Sequence, residues 1–378
     1  MINAIELTNF KAFSHSKIAL KPLTLLTGLN SSGKSTVLQA FGLLQQALDR
    51  LPENFSPGRY SDRVPLNGEY VELGTGRDVL HEGHTSKPPT IEILTHFQGG
   101  KRAGILAEYV AASDALPFTL IGASNDGVES LDFTVPDHVF QYLRADRVNP
   151  STTYPRSYRA ATEQHFLGTR GEYTGDYLRE HQDDLILHGP RLHPHGQSNR
   201  LLAQVDAWLG EICPGVQISA EAIDNTDLVR LGFRNSSPGA AVSLARRPTN
   251  VGFGLAYSLP IIVSLLAARS GALLLLENPE AHLHPRGQSA MARLACAAAA
   301  TGTQVLIETH SDHVLNGVRL AVKNRHLAAS STQLHYFQPG DGGAISITSP
   351  EIGEDGMISA WPEGFFDEWD YSIESLLE

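Results

Sequence analysis

At 378 residues, 42% of them hydrophobic, the chain can bury the core of one large domain or two ordinary ones, which excludes a disordered or fibrous protein. The net charge of −12 gives no reason to expect nucleic acid, but it is uneven: residues 351–378 carry nine acids and no Lys or Arg. What remains is nearly balanced, so it forms either a mixed solvated surface or a basic face, and two cysteines without a CxxC pattern, Cys213 and Cys296, suggest packing in a reducing, cytoplasmic setting.

The start, "MINAIELTNFKAF", lacks the charged residues and apolar run of a signal peptide. Residues 2–9 and 17–20 are short β-like runs, and "LTLLTG" (23–28) reads as a buried strand ending in glycine. Residues 35–50 have apolar side chains at helical spacing, and 51–67, rich in Pro, Gly and Asn, read as a loop. "YVELG", "TIEILTHF" and "AGILAEYVAA" have strand character. From 112 to 245 the pattern loosens into a partly helical insertion whose clearest element is an amphipathic helix over 198–212. Order returns with helix 251–269, strand 272–277, helix 283–300, strand 303–308 and helix 311–323. Strands near 332–338 and 343–348 precede an acidic, aromatic tail. The most apolar stretch is broken by Pro260, Arg269 and Gly271, so it predicts a buried helix and strand rather than a membrane span. A strand–loop–helix early and alternating strands and helices late predict an α/β fold. Its parallel central sheet is flanked by helices, with an antiparallel β layer at the N-terminus.

"GLNSSGKST" (28–36) matches the phosphate-binding pattern G-x-x-x-x-G-K-[ST] and has a strand before it and a helix after it. Gly28 and Gly33 permit a tight turn, so backbone N–H groups across Asn30, Ser31 and Ser32 point inward. Lys34 would hold the β and γ phosphates of ATP, the Ser35 hydroxyl would bind Mg²⁺, and the helix dipole at Ser35 and Thr36 adds to the field. Glu277 ends the buried run "ALLLL" and is the candidate Mg²⁺ carboxylate. Asn278 stands where a second acid is usual; an amide can orient water but cannot take its proton. Glu280, two residues on, is the candidate base, and His310 in "THSDH" the candidate contact to the γ-phosphate.

Together these motifs resemble the ABC-type ATPase heads of the SMC, RecF and OLD group; OLD denotes the overcoming-lysogenization-defect nucleases. The resemblance rests on "IELTNFKAF", "GLNSSGKST", "LLLLENPEAHLHP" and "LIETHSDHVLNGVRLAV". The ending "WPEGFFDEWD" is similar to that of small bacterial ATPases whose tail has no assigned function. The resemblance implies that Lys11 approaches the nucleotide. It also implies a head-to-tail homodimer, or a higher oligomer, in which Gly252 and Gly254 of "NVGFGLAYSLP" cover the partner's ATP. Ala256-Tyr257 replaces the usual Ser-Gln there, with Ser258 as a substitute hydroxyl. His282 and His284 would face the subunit interface; a two-histidine metal site is the sharper alternative.

The implied segments are 1–111, the N-terminal part of the head; 112–245, an insertion or lid; 246–350, its C-terminal part; and 351–378, the tail. About 58 residues follow position 320, too few for the Toprim domain of OLD nucleases, so nuclease activity is not expected in this chain. The expected function is a cytoplasmic ATPase that dimerises around ATP, hydrolyses it slowly, and regulates a separate effector, a nuclease or toxin, in anti-phage defence. Trp361, Phe365, Phe366 and Trp369 either anchor that partner or pack the tail onto its own domain. The alternative is a DNA-binding head of the repair type, using Arg144, Arg147, Arg156, Arg159 and Arg170 on phosphates.

Overall fold

The structure, a computed structural model, describes residues 1–51, 61–84, 88–123, 140–187, 189–235, 244–340, 344–362, 364–366 and 368–377. In chain order the first elements are β1 (Ile2–Phe10), β2 (Phe13–Ala19), β3 (Leu23–Gly28), α1 (Lys34–Leu48), β4 (Ser61–Pro65), α2 (Gly76–Val79), β5 (Thr90–Phe97), β6 (Arg102–Glu108) and β7 (Ala115–Ala123). The middle holds β8 (Phe140–Leu143), β9 (Tyr154–Pro155), α3 (Thr174–His181), α4 (Leu201–Ile212), β10 (Val216–Ala222) and β11 (Leu228–Asn235). Then come α5 (Phe253–Ala267), β12 (Leu273–Glu277), α6 (Pro285–Ala300), β13 (Gln304–Glu308), α7 (Asp312–Lys323), β14 (Thr332–Pro339), β15 (Ile345–Thr348) and α8 (Glu368–Leu377). Among the described residues, no helix is long and apolar enough to cross a membrane.

The chain divides into two compact units. The first comprises residues 1–134, 333–351 and 360–378. Its main sheet has the order β2-β1-β5-β6-β7-β4, antiparallel throughout. Alternation along the strands buries one face, where Ile5, Leu7, Ile93, Ile105 and Leu120 are inaccessible to solvent. This is the expected N-terminal β layer. Two local expectations fail. Residues 61–65 are the edge strand β4 rather than loop, because pairing with β7 holds them extended and Pro65 is tolerated at an edge. "YVELG" contributes one bridge, Asn67 to Glu72, before the chain turns at Gly74 into α2. In the same unit β14 pairs with β15, Phe337 opposite Ile347.

The second unit comprises residues 135–332 and 352–359. Its centre is a parallel trio, β8-β12-β13, with Leu275 opposite Tyr142 on one side and Leu306 on the other. Strands buried on both faces read as unbroken apolar runs, and "LLLL" and "VLI" fit that rule. β8 lies inside the stretch read as an insertion, so that stretch supplies part of the parallel sheet. β9, β10 and β11 form a separate three-stranded sheet of order β10-β11-β9. α5 keeps Pro260 inside it, and the proline ring sits where a side chain at Gly171 would be. α6 and α7 approach closely because Gly317 faces Ala292; an added Cβ would stand 2.6 Å from the Ala292 Cβ.

One buried cation ties the helix ends of this unit together. Arg191 has no exposed surface. Its guanidinium donates to the carbonyls of Leu265 (3.1 Å) and Ala268 at the end of α5, and to the hydroxyls of Thr301 and Thr303, both 2.7 Å. The Trp208 indole of α4 donates to the Arg191 carbonyl at 3.0 Å. Carbonyls at a helix C-terminus lack partners within their helix and carry partial negative charge, which is why a cation can be buried there without a carboxylate. Burial lowers the Arg191 pKa to about 10, still charged at neutrality. Arg191→Met should therefore strand several buried carbonyls and cost about 3 kcal/mol or more, read as a shift of the urea midpoint. A change under about 1 kcal/mol would show that these contacts are replaced by others.

Candidate nucleotide site

The phosphate loop belongs to the first unit. β3 is buried through Leu26 and ends at Gly28, whose φ of +130° suits glycine. A Cβ there would stand 2.0 Å from the Phe337 carbonyl oxygen of β14. Ser31 and Gly33 also have positive φ, 60° and 92°, among residues of ordinary sign. Such alternation turns successive N–H groups to one side as an anion nest. Gly33 is the N-cap of α1, and no side chain caps that end, so the first-turn N–H groups suit an anionic ligand. Lys34 is buried, its ammonium donating to the carbonyls of Gly28 (3.1 Å) and Leu29 (2.5 Å). Ser32 donates to the Leu29 carbonyl at 2.7 Å, while Asn30 and Ser31 are exposed at the tip. Ser35 is half-buried and Thr36 buried in the first turn of α1. Lys11 stands at the β1–β2 bend and donates to Gln39 of α1 at 2.7 Å; burial lowers its pKa.

The carboxylates belong to the second unit, at the C-terminal ends of β12 and β13. Glu277 closes β12, accepting the Tyr142 hydroxyl on Oε1 and the Ala145 N–H on Oε2, at 2.9 Å. Burial raises its pKa, and these two donors oppose the rise. Asn278 follows with φ of +42°, a left-handed conformation that asparagine tolerates better than glutamate does. Its N–H donates to the Glu308 carbonyl of β13 at 2.9 Å. After Pro279 the chain turns so that Glu280 Oε1 accepts the His310 N–H at 2.9 Å. Glu280 Oε2 is buried and meets no hydrogen-bond partner among the described residues. Burial is the largest influence on the Glu280 carboxyl and raises its pKa; the His310 N–H and Thr309 oppose it. The unit thus gathers Glu277, Asn278, Glu280 and the His310 backbone on one turn, with the His310 ring exposed.

Three residues packed around this turn were not given these roles from the sequence: Tyr142, Arg147 and Tyr257. Arg147, a candidate DNA contact by its position in the sequence, is instead buried and donates to the carbonyls of Glu277 and Asn278, both at 2.8 Å. Three of its companions are paired internally: Arg144 with Asp146 (3.0 Å), Arg156 with Asp176 (3.5 Å) and Arg170 with Asp146 (3.6 Å). Arg159 alone of the five is exposed with no ion pair among the described residues, so the run is not a basic face. The clue in sequence was "YLRADR" directly after a short apolar run, a basic group at a strand end.

Gly252 caps α5 with open space around it, and Gly254 lies against the turn, where a Cβ would come 2.7 Å from the His282 carbonyl. Ser258 does not replace a signature hydroxyl: it is buried and donates back to Leu255 at 3.2 Å, as serines inside helices do. His282 packs edge-on against Tyr257, with centroids 4.9 Å apart, and His284 caps α6 by accepting the Arg286 N–H. The two histidines therefore have structural work, and among the described residues no group of three or more His, Cys, Asp or Glu forms a metal cage. Mg²⁺ needs no such cage, since it keeps waters and takes one or two protein oxygens beside phosphate. In the tail, Phe365 is buried against Tyr336, Trp361 and Phe366, with centroids 5.2, 5.3 and 4.9 Å away. These aromatics pack the first unit; the Trp369 side chain lies outside the described residues.

Residues 1–99 match a family described as "AAA ATPase domain", and residues 218–316 one described as "AAA domain, putative AbiEii toxin, Type IV TA system". Residues 327–376 match "Protein of unknown function (DUF3696)". The chain is 22% identical to an OLD nuclease of Thermus scotoductus over 340 residues, covering 82% of the chain and 59% of that relative, so it spans less than two thirds of the relative's length. Among solved structures, an SMC head bound to the C-terminal winged-helix domain of ScpA has a TM-score of 0.52 at 13% identity, covering 93% of this chain and 98% of that one. An SMC head with an extended coiled coil, bound to the C-terminal domain of ScpA derived from Pyrococcus furiosus, has a TM-score of 0.50 at 13% identity, covering 100% and 99%. ATPase-domain families match residues 1–99 and 218–316 and the fold is that of an SMC head, so the chain is similar to the ABC-type AAA ATPases of the OLD, SMC and RecF class.

Proposed function

We propose that this chain binds ATP with Mg²⁺, hydrolyses it slowly using Glu280 as base, and works as a nucleotide-dependent regulator of a separate effector. The observation that carries the hydrolytic reading is the Glu280 carboxyl: one oxygen is fixed on the His310 N–H and the other is buried without a partner among the described residues. In this reading Lys34 and the loop N–H groups hold the β and γ phosphates, and Ser35 and Glu277 take the metal. The bound metal neutralises charge on the transferred phosphoryl group. Asn278 orients the attacking water, Glu280 accepts its proton, and His310 contacts the γ-phosphate. Slowness follows from the amide at 278, which leaves base catalysis to a residue farther along the turn.

Gly252 with open space around it, beside exposed Phe253, suits contact with a second copy across ATP. The relatives are consistent with an effector: one is an OLD nuclease, a matched family carries a toxin description, and the SMC heads are bound to ScpA domains. We therefore favour a homodimer, or a higher assembly of it, that controls a nuclease or toxin in anti-phage defence in the cytoplasm.

Purified chain with Mg²⁺ should turn over ATP above a Lys34→Ala blank. Glu280→Gln should lower kcat by on the order of 10²-fold or more while leaving the ATP Kd nearly unchanged; equal turnover would remove Glu280 from the base role. A second measurement uses stability. Because burial raises the Glu280 carboxyl above the free value of about 4.3, the folded chain binds the extra proton between the two values. Its contribution is fully present below about pH 4.3 and is lost as pH rises through the raised folded value. Glu280→Gln lacks that loss, so its thermal midpoint relative to wild type should climb from about pH 4 toward neutrality. A difference that stays constant with pH would mean the carboxyl is not desolvated.

A further inference from the structure

The sequence marked Arg147 as a surface charge, and hydrolysis as proposed does not use it. Its surroundings do not look like simple structural filler. The side chain is 1% exposed. Among the described residues no carboxylate lies within ion-pair distance; the charge is met by the carbonyls of Arg144 (3.1 Å), Glu277 (2.8 Å) and Asn278 (2.8 Å). The guanidinium also lies over the Tyr257 ring, 5.5 Å from its centroid. Burying a cation on neutral acceptors is costly, and a neutral donor could join two carbonyls at smaller cost. What the guanidinium adds is a rigid planar fork that fixes both carbonyls at once and stacks on an aromatic face.

Both ends of this contact lead somewhere. The two carbonyls belong to Glu277 and to Asn278, the left-handed residue whose turn aims Glu280 at the His310 N–H. Tyr257 sits one helical turn beyond Phe253, at the glycine-rich start of α5. Its hydroxyl donates to Asn149 at 3.1 Å, and its ring touches His282, the residue Gly254 packs against. The contacts run without a gap from the α5 start, through Tyr257 and Arg147, to the carboxylate turn.

We propose that Arg147 is a positioning residue that couples the glycine-rich start of α5 to the orientation of the Asn278–Glu280 turn, so that hydrolysis depends on what seats on α5. The inference rests on the reading of Glu280 as base. Arg147→Ala should lower kcat by on the order of 10²-fold, as expected when a reacting group is misplaced by about 1 Å, with KM for ATP little changed. Millimolar guanidinium should restore part of the loss. Arg147→Lys should recover little, because an ammonium cannot span both carbonyls in one plane. Tyr257→Leu should follow Arg147→Ala, and Tyr257→Phe should stay near wild type because it keeps the ring. A purely structural role would lower the thermal midpoint and the activity together and give no guanidinium rescue, and unchanged kcat in Arg147→Ala would overturn the coupling. Amide exchange of the 277–283 segment provides a reading that does not need turnover. If wild type binds ATP without hydrolysing it, the base assignment fails. The coupling then stands only if Arg147→Ala and Tyr257→Leu each speed exchange in that segment while β13 keeps its protection; unchanged exchange sinks it.

Discussion

The carboxylate turn rests on a buried guanidinium that has backbone carbonyls, rather than an acid, for partners. Arg147 brings a full charge under the ends of β12 and β8, where water cannot screen it, and spends that charge on the carbonyls of Glu277 and Asn278. The same charge counters the desolvation of Glu280, although burial remains the larger influence and keeps that carboxyl above its ordinary value. Burial likewise lowers Arg147 to about 10, which leaves it protonated at neutrality. A turn that carries two buried carboxylates is thereby kept in shape by a cation bonded to its backbone carbonyls.

This arrangement concentrates unfavourable terms in one place. Glu277 and Glu280 are both held against burial, Asn278 takes a left-handed backbone, and Asn278 Oδ1 and Glu280 Oε2 are buried without partners among the described residues. At Arg191, in the same unit, a buried polar group is instead met by a ring of carbonyls and hydroxyls. Such strain gathered on one turn is the pattern expected of a site shaped for chemistry rather than for stability. The phosphate loop shows the same economy in another form: Gly28 is required because any Cβ would enter the backbone of Phe337, and Ser31 adopts a conformation that costs little only in a short turn.

The two buried arginines also explain why charge in the middle stretch is misleading. In a linear reading Arg144, Arg147, Arg156, Arg159 and Arg170 form a basic run, of which Arg159 stays exposed. In the fold one is interior and three are matched to Asp146 or Asp176, so the run has little field to offer a phosphate backbone. Arg191 is drawn inward for a different purpose, to satisfy the C-terminal carbonyls of a helix.

Local pattern alone determined much of this protein. The phosphate loop between strand and helix, the apolar runs ending at Glu277 and Glu308, the alternation of the N-terminal strands and the amphipathic α4 are all periodic or motif-bound, so nearest neighbours in sequence carry the information. Tertiary structure alone decided what depends on distant partners. β8 is four residues long and becomes the edge strand of the parallel trio only because β12 pairs with it. β4 is extended because β7 is beside it, despite a composition suited to a loop. Ser258 turns into its own helix, and Tyr257 stacks on an arginine more than a hundred positions earlier. No local signal distinguishes an arginine destined for solvent from one destined for two carbonyls, because the cost of burying it is repaid only after the strands that carry those carbonyls have assembled.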